Sequence, residues 1–165
     1  MSGTNMRPYT PRQERVGDVV VKIMSRLNTW IYRLSGGRIA GRFPGGAPVL
    51  LLTTIGRKSG RPQTAPLLYL KDGDAYVVVG SKGGMPHHPL WFKNLEANPQ
   101  VEIEVGPRRM AMTARRATDA EKAVLWPRLV AMYPSYADYQ TRTTRKIPVI
   151  ILTPRPCPEV KRTGA

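Results

Sequence analysis

The apolar positions of this chain change period near residue 48. From about Glu14 to Leu34, Val16, Val19, Val20, Ile23, Met24, Leu27, Trp30, Ile31 and Leu34 step by three, four or one, which keeps them on one face of a helix. Lys22, Ser25, Arg26, Thr29 and Arg33 fall mostly on the opposite face. Such a stripe suits packing on a core, or contact with an anionic membrane with Trp30 at the interface. Residues 35–48 are rich in Gly, Arg and Pro and read as loop. After them the period falls to that of strands, expected at 48–54, 63–70, 75–80, 100–106, 109–117 and 147–153. Lys71-Asp72-Gly73-Asp74 and Gly106-Pro107 supply the turns of two hairpins. In "RRMAMTARR", Met110, Met112 and Ala114 alternate with outward partners, as in a half-exposed strand.

Two further helices are expected. One covers about 89–97, with proline in its first turn and Asn98-Pro99 behind it. The other starts at Thr118, which forms a capping box with Glu121. Pro127 should bend or restart that helix, and residues 128–140 continue as a second piece. Six short strands, mostly joined by hairpins, with a few helices give an α+β, mainly β, chain. A small antiparallel barrel or strongly curled sheet is expected, because closure removes free edges. Residues 1–12 and 156–165 read as tails on a single domain. Residues 13–35 form the amphipathic helix, and 45–155 the barrel.

Composition narrows the partners. The 165 residues carry 26 Lys and Arg against 11 Asp and Glu, a formal charge of +15. A chain so basic seeks anions: nucleic acid, an anionic membrane or a polyanionic small molecule. The one cysteine, Cys157, excludes an internal disulfide and fits a reducing compartment. The polar, proline-bearing first twelve residues do not resemble a signal peptide, and no apolar run spans a bilayer. A cytoplasmic location follows, with peripheral contact at the inner face of the plasma membrane left open.

Three stretches could carry chemistry. "TTIGRKSGRP", residues 53–62, places Arg57, Lys58 and Arg61 around Ser59 and Gly60 after an apolar strand. Turn N–H groups and cations together can hold an anion, although a basic hairpin loop alone is often merely solvated. The spacing fits neither a Walker loop nor a dinucleotide fingerprint. "VVVGSKGGMPHHPLW", residues 77–91, repeats the pattern: a strand ends at Gly80, Ser81-Lys82-Gly83-Gly84 follows, and a helix begins just beyond. Two such loops make a site for phosphate and carboxylate credible. His87 and His88 lack the further ligands a metal needs, so no metal is expected. In "MYPSYADYQ", Tyr133, Tyr136 and Tyr139 recur every three residues and suit either packing at the core edge or one wall of a pocket for a planar substrate.

At these stretches the chain resembles a known family. "LLTTIGRKSGRPQTAPLLYL", "GSKGG", "PLWFKNLEANPQVEIEV" and "WPRLVAMYPSYADYQTRTTRKIPVIIL" are similar, in that order, to the deazaflavin (coenzyme F420)-dependent nitroreductases of mycobacteria and related actinobacteria. The resemblance covers residues 48–153. It implies a split β-barrel of the type also seen in flavin-binding pyridoxamine-phosphate-oxidase-like proteins. It also implies reduced F420 as hydride donor to a quinone, an activated alkene or a nitro compound. The anionic tail of the cofactor would meet Arg57, Lys58, Ser59 and Arg61. Gln63, Thr64, Ala65 and Pro66 would line the path to the ring. Gly80, Ser81, Lys82 and Gly83 would hold the phosphate or ring edge, and Leu90, Trp91, Asn94 and Tyr136 would bound the pocket. Tyr136 is the first candidate donor to the acceptor, Ser81 the second, and Tyr133 and Tyr139 shape the pocket. At Leu68 the chain departs from an aromatic residue of the nitroreductase pattern, which counts against nitro drugs. The alternatives are an FMN-dependent reductase on the same barrel, a non-catalytic deazaflavin carrier, and a nucleic-acid binder, the last lacking recognisable stacking aromatics.

Overall fold

A computed structural model of the protein describes residues 29–37 and 41–155. The two expected tails, Cys157 and most of the N-terminal helix lie outside the described residues. Within them the chain forms β1 (Val49–Ile55), β2 (Pro62–Asp72), β3 (Ala75–Val79), α2 (Leu90–Ala97), β4 (Gln100–Val105), β5 (Arg108–Arg116), α3 (Asp119–Met132), α4 (Ser135–Thr141) and β6 (Val149–Pro154). The last helical turns before the barrel, residues 29–34, are α1. The strands close a ring in the order β1-β2-β3-β6-β5-β4, antiparallel throughout. All six expected strands are present within two residues of their predicted ends.

Alternation sorts each strand between two cores. Leu50, Leu52, Val78, Ile103, Met112, Ile150 and Leu152 point into the barrel. Their neighbours Val77, Val79, Val149 and Ile151 point outward into a second cluster with Leu125 and Leu129 of α3 and Tyr136 of α4. The runs "VLLLTTI" and "AYVVV" are therefore apolar on both faces because both faces are covered. Helix α2 turns Trp91, Phe92 and Leu95 into the interior cluster, each such burial worth about 1.5–3 kcal/mol. Gly73 and Gly106 adopt positive φ in the two tight hairpins, as the turn chemistry requires.

Helix α1 docks on the outside of β1 and β4. The fully buried Tyr32 donates from its hydroxyl to the Val49 carbonyl (3.1 Å) and accepts from the Gly106 N–H (2.8 Å). Arg33 grips the buried Glu104 carboxylate, with Nε 3.1 Å from Oε1 and 3.2 Å from Oε2. This differs from the core-packing reading of the stripe. Trp30 and Leu34, members of the apolar stripe, are 63% and 68% exposed, and the residue that seats the helix is Tyr32. The buried hydroxyl finds backbone partners, so a polar-tipped side chain outcompetes the stripe at this end.

Pro127 also behaves differently from expectation. Helix α3 runs unbroken from Asp119 to Met132 and stops at Tyr133-Pro134. Pro127 removes a hydrogen bond to the Ala123 carbonyl, but both residues are exposed, so water can replace the lost donor. The capping box forms as read: the Glu121 N–H donates to Thr118 Oγ1 (3.2 Å), and the Thr118 N–H to Glu121 Oε2 (2.8 Å).

Candidate functional site

One cationic loop is held by the middle of α2, and the other leads into its N-terminus. The β1–β2 loop folds over Gly56, whose N–H donates to the Arg61 carbonyl (2.9 Å) and whose carbonyl accepts from Gly60 (2.7 Å). A Cβ at Gly56 would lie 2.5 Å from Ser59 Oγ, so a larger residue there would push the Ser59 side chain aside. Gly60 takes φ +64. Buried Asn94 of α2 fixes this turn from below. Its Oδ1 accepts from the Arg57 N–H (3.2 Å), and its Nδ2 donates to Thr54 Oγ1 (3.2 Å) and Gln63 Oε1 (3.5 Å). The side chains of Arg57, Lys58 and Arg61 are left exposed, with no carboxylate paired to them among the described residues.

The second loop leaves β3 at Gly80, which lies so close to Pro148 that a Cβ would sit 2.7 Å from its Cγ. Lys82, Gly83 and Gly84 then adopt φ +47, +64 and +79, a left-handed turn before α2. Ser81 is only 8% exposed, yet its hydroxyl caps nothing and its N–H meets no acceptor among the described residues. Buried polar groups are ordinarily paired. Behind the turn stands Arg145, which donates to the carbonyls of Met85 (Nε, 2.9 Å), Gly80 (Nη1, 3.1 Å) and Ser81 (Nη2, 2.7 Å). Its Nη1 also lies 3.2 Å from His88 Nδ1. A guanidinium only donates, so Nδ1 accepts and the neutral imidazole carries its proton on Nε2. Burial, then the Arg145 charge, push the His88 pKa below its ordinary value. His88 also stacks 4.8 Å from Phe92, and no cluster of three metal-ligating side chains exists among the described residues.

The tyrosines form the third side. Tyr133 ends α3, and Tyr136 and Tyr139 lie on α4, which packs on the Ser81–Gly84 turn. Tyr133 meets Tyr136 edge to face at 5.0 Å, and its hydroxyl shares a 3.1 Å hydrogen bond with that of Tyr139. Phe43, from the loop before β1, packs edge-on to Tyr133 at 5.6 Å. Tyr136 is 4% exposed, and its hydroxyl makes no hydrogen bond among the described residues. Burial foremost, with Tyr133 and Tyr139 adding, pushes its pKa far above the usual phenol range, so it keeps its proton. Leu68 packs against this same cluster from β2.

The structure thus separates the sequence candidates. Arg57, Lys58, Ser59 and Arg61 form an exposed basic tip, and Ser81 and Tyr136 offer unpaired donors near the α4 contact. Lys82 and Gly83 build the left-handed turn, while Gly80 sets its approach to β6. Leu90 is exposed, whereas Trp91 is spent in the barrel core and Asn94 on loop positioning. On β2, Gln63 holds Asn94, Thr64 shares a 2.8 Å hydroxyl contact with Thr53, Ala65 faces the interior cluster, and Pro66 lies between it and Leu67. Sequence reasoning missed Arg145 and Phe43, whose partners lie about 60 and 90 positions away and leave no local signal.

The family described as F420H(2)-dependent quinone reductase matches residues 24–154. The F420H(2)-dependent quinone reductase Rv1261c of Mycobacterium tuberculosis is 49% identical over 133 residues, 79% of this chain and 89% of that protein. A solved F420-H2 dependent reductase, FDR-A, is 42% identical, covers 64% of this chain and 93% of its own, and superposes with a TM-score of 0.60. Another solved structure, described as a domain-swapped dimer, is 34% identical, covers 86% of this chain and 98% of its own, with a TM-score of 0.62. The chain belongs to the F420H(2)-dependent quinone reductase family.

Proposed function

We propose that this protein is an oxidoreductase that reduces a quinone with F420H2, using Ser81 and the Arg57–Arg61 loop for the cofactor and Tyr136 for the acceptor. When bound, F420H2 supplies the hydride. The observation that carries the assignment of the site is that two largely buried side chains, Ser81 in the turn that α4 contacts and Tyr136 on α4 itself, have hydroxyls that make no hydrogen bond among the described residues. Ser81 would hold the cofactor through its hydroxyl and N–H. Arg57, Lys58 and Arg61 would attract its anionic tail. Tyr136, held in its protonated form, would donate a hydrogen bond to the oxygen where negative charge develops. Tyr133 and Tyr139 would brace the ring of a flat acceptor, and Leu68 would leave more room there than an aromatic side chain.

Exposed cations contribute modestly one at a time, up to about 1 kcal/mol each. The double variant Arg57→Ala, Lys58→Ala should therefore weaken F420 about tenfold in a fluorescence titration. A tail-less deazaflavin should be unaffected. Equal losses for both ligands would remove the tail from this loop, and tight FMN binding without F420 binding would replace the cofactor.

Quinones dissolve in membranes, and the exposed Trp30 and Leu34 continue the apolar stripe read from the sequence. Peripheral membrane contact through the N-terminal segment is part of the proposal. Among the described residues no helix is long and apolar enough to cross a bilayer. Deleting residues 1–28 retains Tyr32 and Arg33 and should abolish sedimentation with anionic liposomes. Unchanged recovery in the pellet would refute the contact.

A further inference from the structure

We propose that Arg145 is a positioning residue for the cofactor: by drawing the carbonyl of Gly80 to one side, it aims the N–H group of Ser81 at the ligand, and through the Ser81 carbonyl it steadies the turn that follows. The inference rests on the F420 reading of the site. In a trans peptide the C=O and the following N–H point in opposite directions, and the described chain has no cis bonds. Arg145 Nη1 binds the Gly80 oxygen and Nη2 the Ser81 oxygen, so the next two N–H groups face away from the guanidinium. The Ser81 N–H is the donor already seen to lack an acceptor. A third bond, from Nε to Met85, pins the far end of the turn. The peptide after Met85 leads into Pro86 and carries no N–H, so this bond anchors without aiming a donor.

One planar fork reaches three carbonyls from three separate nitrogens, a spread and fixed geometry that the compact point charge of an ammonium does not supply. The fork also places a half-buried cation behind the turn, reinforcing the attraction of its donors for an electron-rich ring edge. Its partners come from β3, the turn and the residues before α2, so Arg145 locks together the segments that the Lys82–Gly84 backbone would otherwise leave loose.

The test uses the full chain and F420 as the probe. Arg145→Lys should bind F420 about tenfold more weakly than wild type, and should bind a tail-less deazaflavin more weakly by the same factor. The quinone KM should stay within twofold. Millimolar guanidinium should restore affinity to Arg145→Ala, a rescue that a general packing defect would not show. On wild type, adding F420 should shift the Ser81 amide proton and nitrogen resonances, a readout that stands even if neither variant folds. Wild type that binds F420 with those resonances unmoved, or a folded Arg145→Lys with wild-type affinity, overturns the role of Arg145. Wild type that binds no F420 overturns the parent reading instead.

Discussion

Replacing Tyr136 with Phe should lower kcat for quinone reduction about a hundredfold, the usual cost of losing one donor to a developing oxyanion. The same change should leave F420 affinity untouched, because the cofactor is assigned to Ser81 and the Arg57–Arg61 loop. It should also leave the protein no less stable. The Tyr136 hydroxyl makes no hydrogen bond among the described residues, so the phenyl ring preserves its packing against Trp126, Tyr133 and Tyr139. A structural tyrosine would behave oppositely, losing melting temperature together with activity. A variant with kcat within twofold of wild type would free Tyr136 from the chemistry. Steady-state kinetics and a thermal melt on one preparation decide between these outcomes.

The second large effect concerns Gly84. With φ +79, an added Cβ would lie 2.8 Å from the Tyr139 carbonyl oxygen and 3.2 Å from its Cα. Gly84→Ala therefore combines left-handed strain of about 1–2 kcal/mol with a collision against backbone that cannot swing aside. A loss of about 3 kcal/mol in urea unfolding is expected. Gly83 is the control. It has φ +64 but open space around its Cβ direction, so Gly83→Ala should cost about 1 kcal/mol. Equal losses at the two positions would mean that the fit of α4 on the turn is not tight. Because α4 carries Tyr136 and Tyr139, Gly84→Ala should also reduce turnover in the fraction that remains folded.

Much of this fold was legible because its signals are local. Strand alternation and the Asp72-Gly73 and Gly106-Pro107 turns placed all six strands, and Thr118 and Glu121 marked the start of α3 within four residues of sequence. Both cationic loops were visible for the same reason. What stayed hidden depends on contacts between distant residues. Nothing near Arg145 announces that it will grip Gly80, Ser81 and Met85. Asn94 and Trp91 looked like pocket residues beside Leu90, but the direction in which α2 enters the barrel turns one toward the loop and the other into the core. Pro127 is tolerated because of exposure, and exposure is a property of the packed helix. Tyr32 was passed over because its value lies in two backbone partners from β1 and the β4–β5 turn.

The ring of strands limits how this protein can meet a copy of itself. Among the described residues the six strands close on one another, but β2 pairs with β1 over Pro62–Leu68 and with β3 only over Tyr69–Asp72, so its first half keeps one unpaired edge. The long apolar runs of β1, β3 and β6, which would template cross-β stacking if bared, are shielded for as long as the ring holds. The weakest seam is the short ladder of three residue pairs between β1 and β4, and Tyr32 and Arg33 lie across it as a clasp.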